Sequence, residues 1–241
     1  MAQPPRFFCP PPIPEDAHRW PLPEAAAQHT RVLRLRVGDA VTLFDGLGGE
    51  VPATLIAVDR RAVWVGTGTR RPIERERARQ ITLAVGLIAS ERFDWLVQKA
   101  VELGVARIEP LLTERSQRIP GSIDKRLAHW QGIVIAASEQ CGRNRLARIE
   151  PPQPLAVWLE RLGDRSLVLA DGEGGTSYIS PEGPLTLAVG PEGGFSPGEL
   201  AALRARAQVR LTLGPTVLRA ETAAVAGLAL LSNAPGHRLT H

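Results

Sequence analysis

Three uninterrupted apolar runs in the second half of this 241-residue chain restrict its fold more than any other feature. They span residues 166–170, 185–189 and 209–213. Each run is long enough for a strand that is buried on both faces, as strands of parallel sheets are. Because parallel strands need long connections, usually helical ones, the runs predict an α/β domain.

Residues 80–141 extend this pattern towards the amino terminus. They contain a predicted strand over 80–88, a helix over 92–103 that ends at Gly104, and a helix over 123–141. Apolar residues recur on one face of the last helix at steps of three or four, namely Leu127, Trp130, Val134, Ala137 and Cys141. We expect this stripe to lie in the core, with Ser122 as the N-cap.

The first 72 residues have a different character. They hold ten of the 21 prolines and short β-type runs at 39–44 and 61–65, which predict a small β-barrel. Residues 70–79 are polar, charged and aperiodic, as connections between domains tend to be. We therefore expect two domains, over residues 1–72 and 77–241.

Composition excludes some classes of protein and leaves others open. No secretory h-region and no apolar stretch of membrane-spanning length is present, so a cytoplasmic protein without membrane contact is expected. Cys9 and Cys141 are far apart, without histidines at ligand spacing, which predicts neither a disulfide nor a metal site. A net charge of +4 and a pI near 9.8 allow an anionic partner.

Two glycine-containing loops follow predicted strands. The run 185–189 leads into Gly190-Pro-Glu-Gly-Gly194, after which Ser196, Pro197 and Glu199 form a capping box that begins a helix. The run 209–213 leads into Gly214 and a helix over 223–231. Strand ends of open α/β sheets are where ligands bind, although a tight turn would also use glycine.

Arg219, Glu221 and Thr222 stand at the entrance of the last helix, where they offer a fixed cation, a carboxylate and a hydroxyl. Surface charge with a helix cap is the alternative interpretation. Neither GxGxxG after a strand nor a P-loop motif occurs in the sequence, so the usual dinucleotide and nucleotide sites are excluded.

In this order, Gly-Pro-Glu-Gly-Gly and Leu-Arg-x-Glu-Thr-Ala resemble the knotted SPOUT class of methyltransferases, and within it the RsmE family of uridine-N3 methyltransferases of 16S ribosomal RNA. The similarity extends over nearly the whole chain. Further matches are Arg6-Phe-Phe8, His29, Val32-Leu-Arg34, Gly38-Asp39, Gln98-Lys-Ala100, Glu102-Leu-Gly-Val105, Glu114-Arg-Ser116, Trp130, Glu139-Gln140 and Arg143. Two positions depart from the family pattern: Ala220 replaces a usual Thr, and Ser90 lies near a common Lys.

The resemblance implies a PUA-like barrel followed by an α/β trefoil-knot domain, a homodimer, and 16S ribosomal RNA or the small subunit as partner. It implies S-adenosylmethionine as methyl donor, with no metal. The residues expected to bind this cofactor are Leu169, Gly190, Pro191, Glu192, Gly193, Gly194, Leu213, Gly214, Val217 and Leu218. RNA binding is assigned to Arg6, Arg31, Arg34 and Arg36, which cluster near the family-like segment 29–39.

The predicted catalytic residues are Arg219, Glu221 and Thr222. Uridine N3 carries a proton at neutral pH, so we expect Arg219 to stabilise the charge that develops on the base. Glu221 is expected either to accept the proton or to orient Arg219, and Thr222 to cap the helix or orient the base. Two alternatives stay open, a non-catalytic dimeric RNA-binding protein and a SPOUT methyltransferase that acts on another ribosomal or transfer RNA base.

Overall fold

The computed structural model describes residues 4–118, 121–174 and 183–232, which group into two compact units. One consists of Met1–Glu76 and Ser138–Leu146, the other of Arg77–Ala137 and Ala147–His241. Residues 138–146, which we expected in the second domain, group with the first unit. The outer ends of the two predicted domains, residues 1–3 and 233–241, lie outside the described residues. The division of RNA binding and methyl transfer between the domains stays a prediction.

The first unit is built around a five-stranded sheet. Its elements are β1 (Arg6–Phe8), β2 (Trp20–Pro21), α1 (Glu24–Val32), β3 (Ala40–Phe44), β4 (Val51–Val58) and β5 (Val63–Thr67). The strand order is β1-β3-β4-β5-β2; β1 pairs with β3 in parallel and the other pairs are antiparallel. Alternate side chains of β3, β4 and β5 are buried with two alanines of α1 in one apolar core. The predicted β domain is thereby confirmed.

A buried polar cluster in this unit contains Arg6, one of the arginines predicted to bind RNA. The Arg6 guanidinium donates to Glu50 Oε2 at 2.7 Å and to the Asn144 amide oxygen, while Arg75 donates to the same Glu50 oxygen at 2.8 Å. Burial raises the pKa of Glu50, but the hydrogen bonds and charges of the two arginines outweigh it and lower the pKa to about 2. Arg6 is 9% exposed and ion-paired with Glu50, so it contributes to the architecture of the unit, and its assignment to RNA binding stays a prediction.

The second unit is the predicted α/β domain. Its elements are β6 (Ile81–Gly86), α2 (Ser90–Glu102), β7 (Arg107–Leu112), α3 (Ile123–Cys141, whose last residues belong to the first unit), β8 (Arg148–Ile149), β9 (Gln153–Pro154), α4 (Leu155–Arg161), β10 (Ser166–Ala170), β11 (Leu185–Val189), α5 (Pro197–Arg206), β12 (Val209–Leu211) and α6 (Ala220–Ser232). The sheet order is β12-β10-β11-β6-β7-β8, with β9 also on β7, and every pair is parallel. Strand β12 ends two residues earlier than predicted.

The helix ends follow local signals in the sequence. Gly104, with φ of +85°, lies just beyond α2 in a conformation that favours glycine. Helix α5 begins with the predicted capping box, because the Ser196 hydroxyl accepts from the Glu199 amide and the Glu199 carboxylate accepts from the Ser196 amide. Helix α6 packs against α2 and against the central strands β6, β10 and β11. In the described part of the chain, no helix has the length and apolar character needed to cross a membrane.

Candidate active site

A cavity of about 540 Å³ lies in the second unit, where the loops after β10, β11 and β12 meet. Its walls come from residues 170–173, 189–195, 211 and 213–218, together with Ala220 and Ala223 at the start of α6. All three loops leave the carboxyl ends of parallel strands, the edge at which open α/β sheets bind ligands. The size is that of a small-molecule site.

Four contacts fix the glycine-rich loop of this cavity. Within the loop, the Gly194 amide donates to the Pro191 carbonyl at 2.8 Å. From outside it, Arg115 donates to the Gly193 carbonyl at 2.8 Å, and Glu192 accepts from the Ala89 amide and from Arg92, both at 3.3 Å. The loop is therefore held by side chains and by its own turn, leaving other backbone groups to face a ligand.

Nine of the ten residues predicted to bind the cofactor line this cavity. The exception is Leu169, which has no solvent exposure and packs in the core of the sheet with Leu167 and Ala188. Leu169 is the penultimate residue of β10, and its side chain does not line the cavity. The next two residues, Ala170 and Asp171, line it instead. We therefore add these two residues to the candidate set, and the assignment of Leu169 stays a prediction.

The residues present suit a ligand that combines a flat apolar part with polar groups. Phe195, Leu200 and Leu211 give apolar walls, while the loops offer backbone donors and acceptors. A Cβ built on Gly172, Gly194 or Gly214 would meet no atom within 4 Å, so open space lies beside each of these glycines. Gly194 and Gly214 also have φ of +69° and +110°, backbone conformations that residues with a side chain rarely adopt. S-adenosylmethionine fits such a site.

An ionic network that the sequence pattern did not reveal shapes one wall. Asp171 accepts from Arg204 Nε and from Arg210 Nε, both at 2.8 Å, and from the Glu173 amide at 3.0 Å. Hydrogen bonding to Arg204, against the opposing effect of burial and with further help from Arg210, lowers the pKa of Asp171 to about 2. The loop after β10 is thereby anchored to α5 and β12.

The three predicted catalytic residues come together in a second cavity of about 370 Å³. Arg219, Glu221 and Thr222 line it, with three residues of α2 on the other side, namely Glu91, Arg92 and Trp95. Arg219 and Thr222 are exposed, and no described residue pairs with the Arg219 guanidinium. Its charge is thus free to interact with a substrate.

Glu221 is the buried member of this group, with 8% exposure. Its Oε1 lies 3.8 Å from Arg92 Nε, and Arg92 also reaches Glu192 of the glycine-rich loop. The other oxygen, Oε2, is buried and has no hydrogen-bond donor among the described residues. Leaving a buried acceptor without a donor costs free energy. This carboxylate oxygen is therefore suited to accept a hydrogen bond from a bound substrate.

The two cavities share no lining residue, yet residues 218–223 serve both. Leu218, Ala220 and Ala223 face the larger cavity, and Arg219, Glu221 and Thr222 face the smaller one. This short segment, in which α6 begins, therefore borders both a cofactor-sized site and a charged site. Ala220, one of the two positions that depart from the family pattern, is buried and lines the larger cavity.

The remaining arginines predicted to bind RNA lie in the first unit, on or just after α1. Arg31 is tethered to the Asp59 carbonyl at 3.3 Å and to Glu24 at 3.4 Å. Arg34 and Arg36 are exposed, beside the exposed apolar side chains of Leu33 and Val37. These two arginines can meet a phosphate backbone without first breaking a contact.

Sequence reasoning overlooked Arg92 and Trp95. Trp95 lies on α2, whose buried face consists of Phe93, Leu96, Val97, Ala100 and Val101. A large aromatic residue outside this apolar stripe was a usable signal. For Arg92 no such signal exists, because its importance depends on two glutamates that are distant in the sequence.

Comparison with known proteins gives the same assignment for both units. A family model described as an RNA methyltransferase domain matches residues 75–232, and one described as an RNA methyltransferase PUA domain matches residues 22–67. The predicted fold class, a PUA-like β domain before an α/β domain of the knotted SPOUT class, is confirmed.

Three relatives illustrate the similarity. A methyltransferase of Legionella pneumophila, solved with bound S-adenosylmethionine, has a TM-score of 0.89 and 33% identity over 95% of this chain and 97% of its own. The ribosomal RNA small subunit methyltransferase E of Neisseria gonorrhoeae, also bound to S-adenosylmethionine, has a TM-score of 0.87 and 32% identity over 94% and 96%. The enzyme of that name from Rickettsia conorii is 30% identical over 82% of each chain. The chain is therefore an RNA methyltransferase and belongs to the ribosomal RNA small subunit methyltransferase E family.

Proposed function

We propose that this protein transfers the methyl group of S-adenosylmethionine to N3 of a uridine in 16S ribosomal RNA. The observation that carries the proposal is the alternation of residues 218–223 between two cavities. One cavity has the size and lining for the cofactor, and the other presents charged groups for the base. A methyl donor and its acceptor can thus approach each other past a single short segment.

The substrate sets the chemical problem. Uridine N3 carries a proton that must be lost, or strongly polarised, before the nitrogen can attack a methyl group, and the negative charge then spreads onto O2 and O4. The guanidinium of Arg219 stays protonated at any working pH and can direct donors at such oxygens. Since it has no ion-pair partner among the described residues, we assign it to stabilise this charge.

Glu221 faces the same cavity, and its geometry suits a proton acceptor. The ion pair with Arg92 holds one carboxylate oxygen and leaves the other without a donor. Uracil offers a single ring N–H next to its two carbonyl groups, and cytosine has none at N3. An acceptor beside cations therefore matches the uracil edge. The alternative is that Glu221 orients Arg219, but no contact between these two side chains supports it.

The cofactor cavity belongs to the same proposal. When bound, S-adenosylmethionine supplies an electrophilic methyl group. The chain's own contribution is to hold it through the backbone of residues 190–194 and 213–218, which line the cavity together with Ala170 and Asp171. Arg92 joins this loop to Glu221 through its two contacts. Among the described residues, no group of three or more metal-ligating side chains accompanies the site.

The proposal extends to partners and location. Arg34 and Arg36 are assigned to RNA phosphates, with a smaller role for Arg31. Helix α6 is apolar on most of its surface, with Leu230 47% exposed, as expected for a helix that packs on a second copy. We therefore assign a homodimer that acts in the cytoplasm on the small ribosomal subunit or its RNA.

Mass spectrometry of ribosomal RNA from a strain that lacks the gene tests the target. We expect one uridine of 16S RNA to lose a base methyl group, and the gene on a plasmid to restore it. Loss of a methyl group from transfer RNA or from another base would instead support the alternative of a SPOUT enzyme with a different substrate. The alternative of a non-catalytic RNA-binding protein is set aside, because the chain belongs to an enzyme family.

A further inference from the structure

Trp95, on α2, is an exposed aromatic residue of the second unit. It is 43% exposed and lies outside the buried face of α2, whose apolar contacts are made by Phe93, Leu96 and their neighbours. Exposed tryptophans on a polar helix face are uncommon because their large apolar surface is costly to leave in water. Such a side chain points to a ligand that covers it.

Trp130 and Trp158, the other tryptophans of this unit, are buried and hydrogen-bonded, as structural tryptophans usually are. The indole N–H of Trp130 donates to Asp94 at 3.1 Å, and that of Trp158 donates to Glu109 at 2.6 Å. Both side chains are buried. In the described part of the chain Trp95 makes no such bond. Trp95 therefore keeps part of its ring surface exposed, and its indole N–H has no acceptor among the described residues.

The position of Trp95 identifies the kind of ligand. It lines the same cavity as Arg219, Glu221 and Thr222, which the proposed function assigns to the target uridine. An aromatic ring beside charged hydrogen-bonding groups is the arrangement by which proteins hold an unstacked nucleobase. The ring covers the face of the base while the charged groups read its edge.

We propose that Trp95 is the stacking platform for the target base, so that the smaller cavity is a pocket for a single extruded pyrimidine. The inference rests on the proposed function of the same site. Stacking replaces the contacts that the base loses on leaving the RNA and fixes its plane, so that N3 faces Glu221 and the carbonyl oxygens face Arg219. Trp95 touches the substrate but moves no proton.

The test compares Trp95→Ala, Trp95→Leu and Trp95→Phe in the full-length protein, with an RNA fragment that contains the target uridine. Stacking of a base is worth about 1–3 kcal/mol, which is roughly a 5- to 150-fold effect. We expect Trp95→Ala and Trp95→Leu to lower kcat/KM for RNA by roughly that factor, and Trp95→Phe to keep most of it. Ile123→Ala removes an apolar side chain of similar exposure, 46%, from the same unit and should change nothing.

Two further readouts separate stacking from a structural role. Calorimetry should give unchanged affinity for S-adenosylmethionine in all four variants. Fluorescence should show quenching of the wild-type protein on RNA binding, with that component missing in Trp95→Phe. If the wild-type protein methylates uridine and Trp95→Ala keeps full activity, the stacking role alone is overturned. The stacking role is also overturned if Trp95→Ala loses activity only because it no longer forms a dimer. A wild-type protein that methylates no uridine would instead overturn the proposed function.

Discussion

Gly86, the last residue of β6, should be intolerant of even one added methyl group. A Cβ built on it would lie 2.5 Å from Pro191 Cδ and 2.7 Å from Pro191 N. Carbon atoms normally approach no closer than about 3.5 Å, so the glycine-rich loop or the strand end must move by about 1 Å. Since Pro191 is in the middle of a fixed loop, the movement is transmitted to the backbone that lines the cofactor cavity.

The magnitude follows from the cost of this displacement. Overpacking a buried site costs about 1–3 kcal/mol, and a displacement of about 1 Å in a binding constellation can cost a similar amount. We therefore expect Gly86→Ala to bind S-adenosylmethionine roughly 10- to 100-fold more weakly, since each factor of ten is about 1.4 kcal/mol. The melting temperature should fall by a few degrees, leaving the protein folded at the temperature of the assay.

Isothermal titration calorimetry with S-adenosylmethionine is the assay, and two glycines of the same unit supply controls. A Cβ on Gly227 would lie 2.8 Å from the flexible end of Leu187, and one on Gly132 would meet nothing within 4 Å. Gly227→Ala tests overpacking away from the loop, and Gly132→Ala tests the methyl group alone; both should retain cofactor affinity. Affinity of Gly86→Ala within twofold of wild type would refute the reasoning about the loop.

Three further predictions concern the catalytic charge, the RNA contact and the ionic network. Arg219→Ala should slow single-turnover methyl transfer at saturating RNA and cofactor by roughly 10² or more, and a rate within a few-fold of wild type would remove Arg219 from the mechanism. The double variant Arg34→Ala, Arg36→Ala should weaken RNA binding and flatten its dependence on salt by up to about two phosphate contacts, while cofactor affinity stays; an unchanged slope would contradict their assignment. For Asp171, the lowered pKa of about 2 against 3.8 means stability that is complete above pH 4 and is lost as the pH falls from about 4 to about 2. Its full value would be somewhat above 2 kcal/mol, at about 1.4 kcal/mol per pKa unit, and solvent screening of the partly exposed arginines reduces it to roughly 1–2 kcal/mol. Urea unfolding of Asp171→Asn should show this deficit at pH 7 and almost none near pH 2; equal deficits at both values would disprove the linkage.

The fold was largely predictable because local sequence and global structure agree. The continuous apolar runs at 166–170 and 185–189 are β10 and β11 with the predicted bounds, and the periodic segment 123–141 is α3. Strands β1, β2 and β4 were not predicted, since two are very short and Pro52 interrupts the pattern of the third. Which residues belong to which unit depends on contacts such as Asn144 with Arg6, which no local pattern encodes.

The site was predictable where the chain itself brings residues together. Arg219, Glu221 and Thr222 are neighbours in the sequence, so their common cavity required only that the helix begin there. Arg6 and Leu169 are buried, which the sequence pattern did not indicate, because burial is a tertiary property. The burial of Arg6 depends on Glu50, which is 44 residues away in the sequence, and the burial of Leu169 depends on the packing of the sheet.

The most direct test of the account is the position of a labelled methyl group. Small ribosomal subunits from a strain lacking the gene are incubated with the purified protein and isotopically labelled S-adenosylmethionine, and the 16S RNA is digested and analysed by mass spectrometry. We predict label on N3 of a single uridine, and an initial rate of labelling lowered by roughly 10² or more with the Arg219→Ala protein. Label on a ribose, on a ring carbon or on another base, or the absence of label with the wild-type protein, would contradict it.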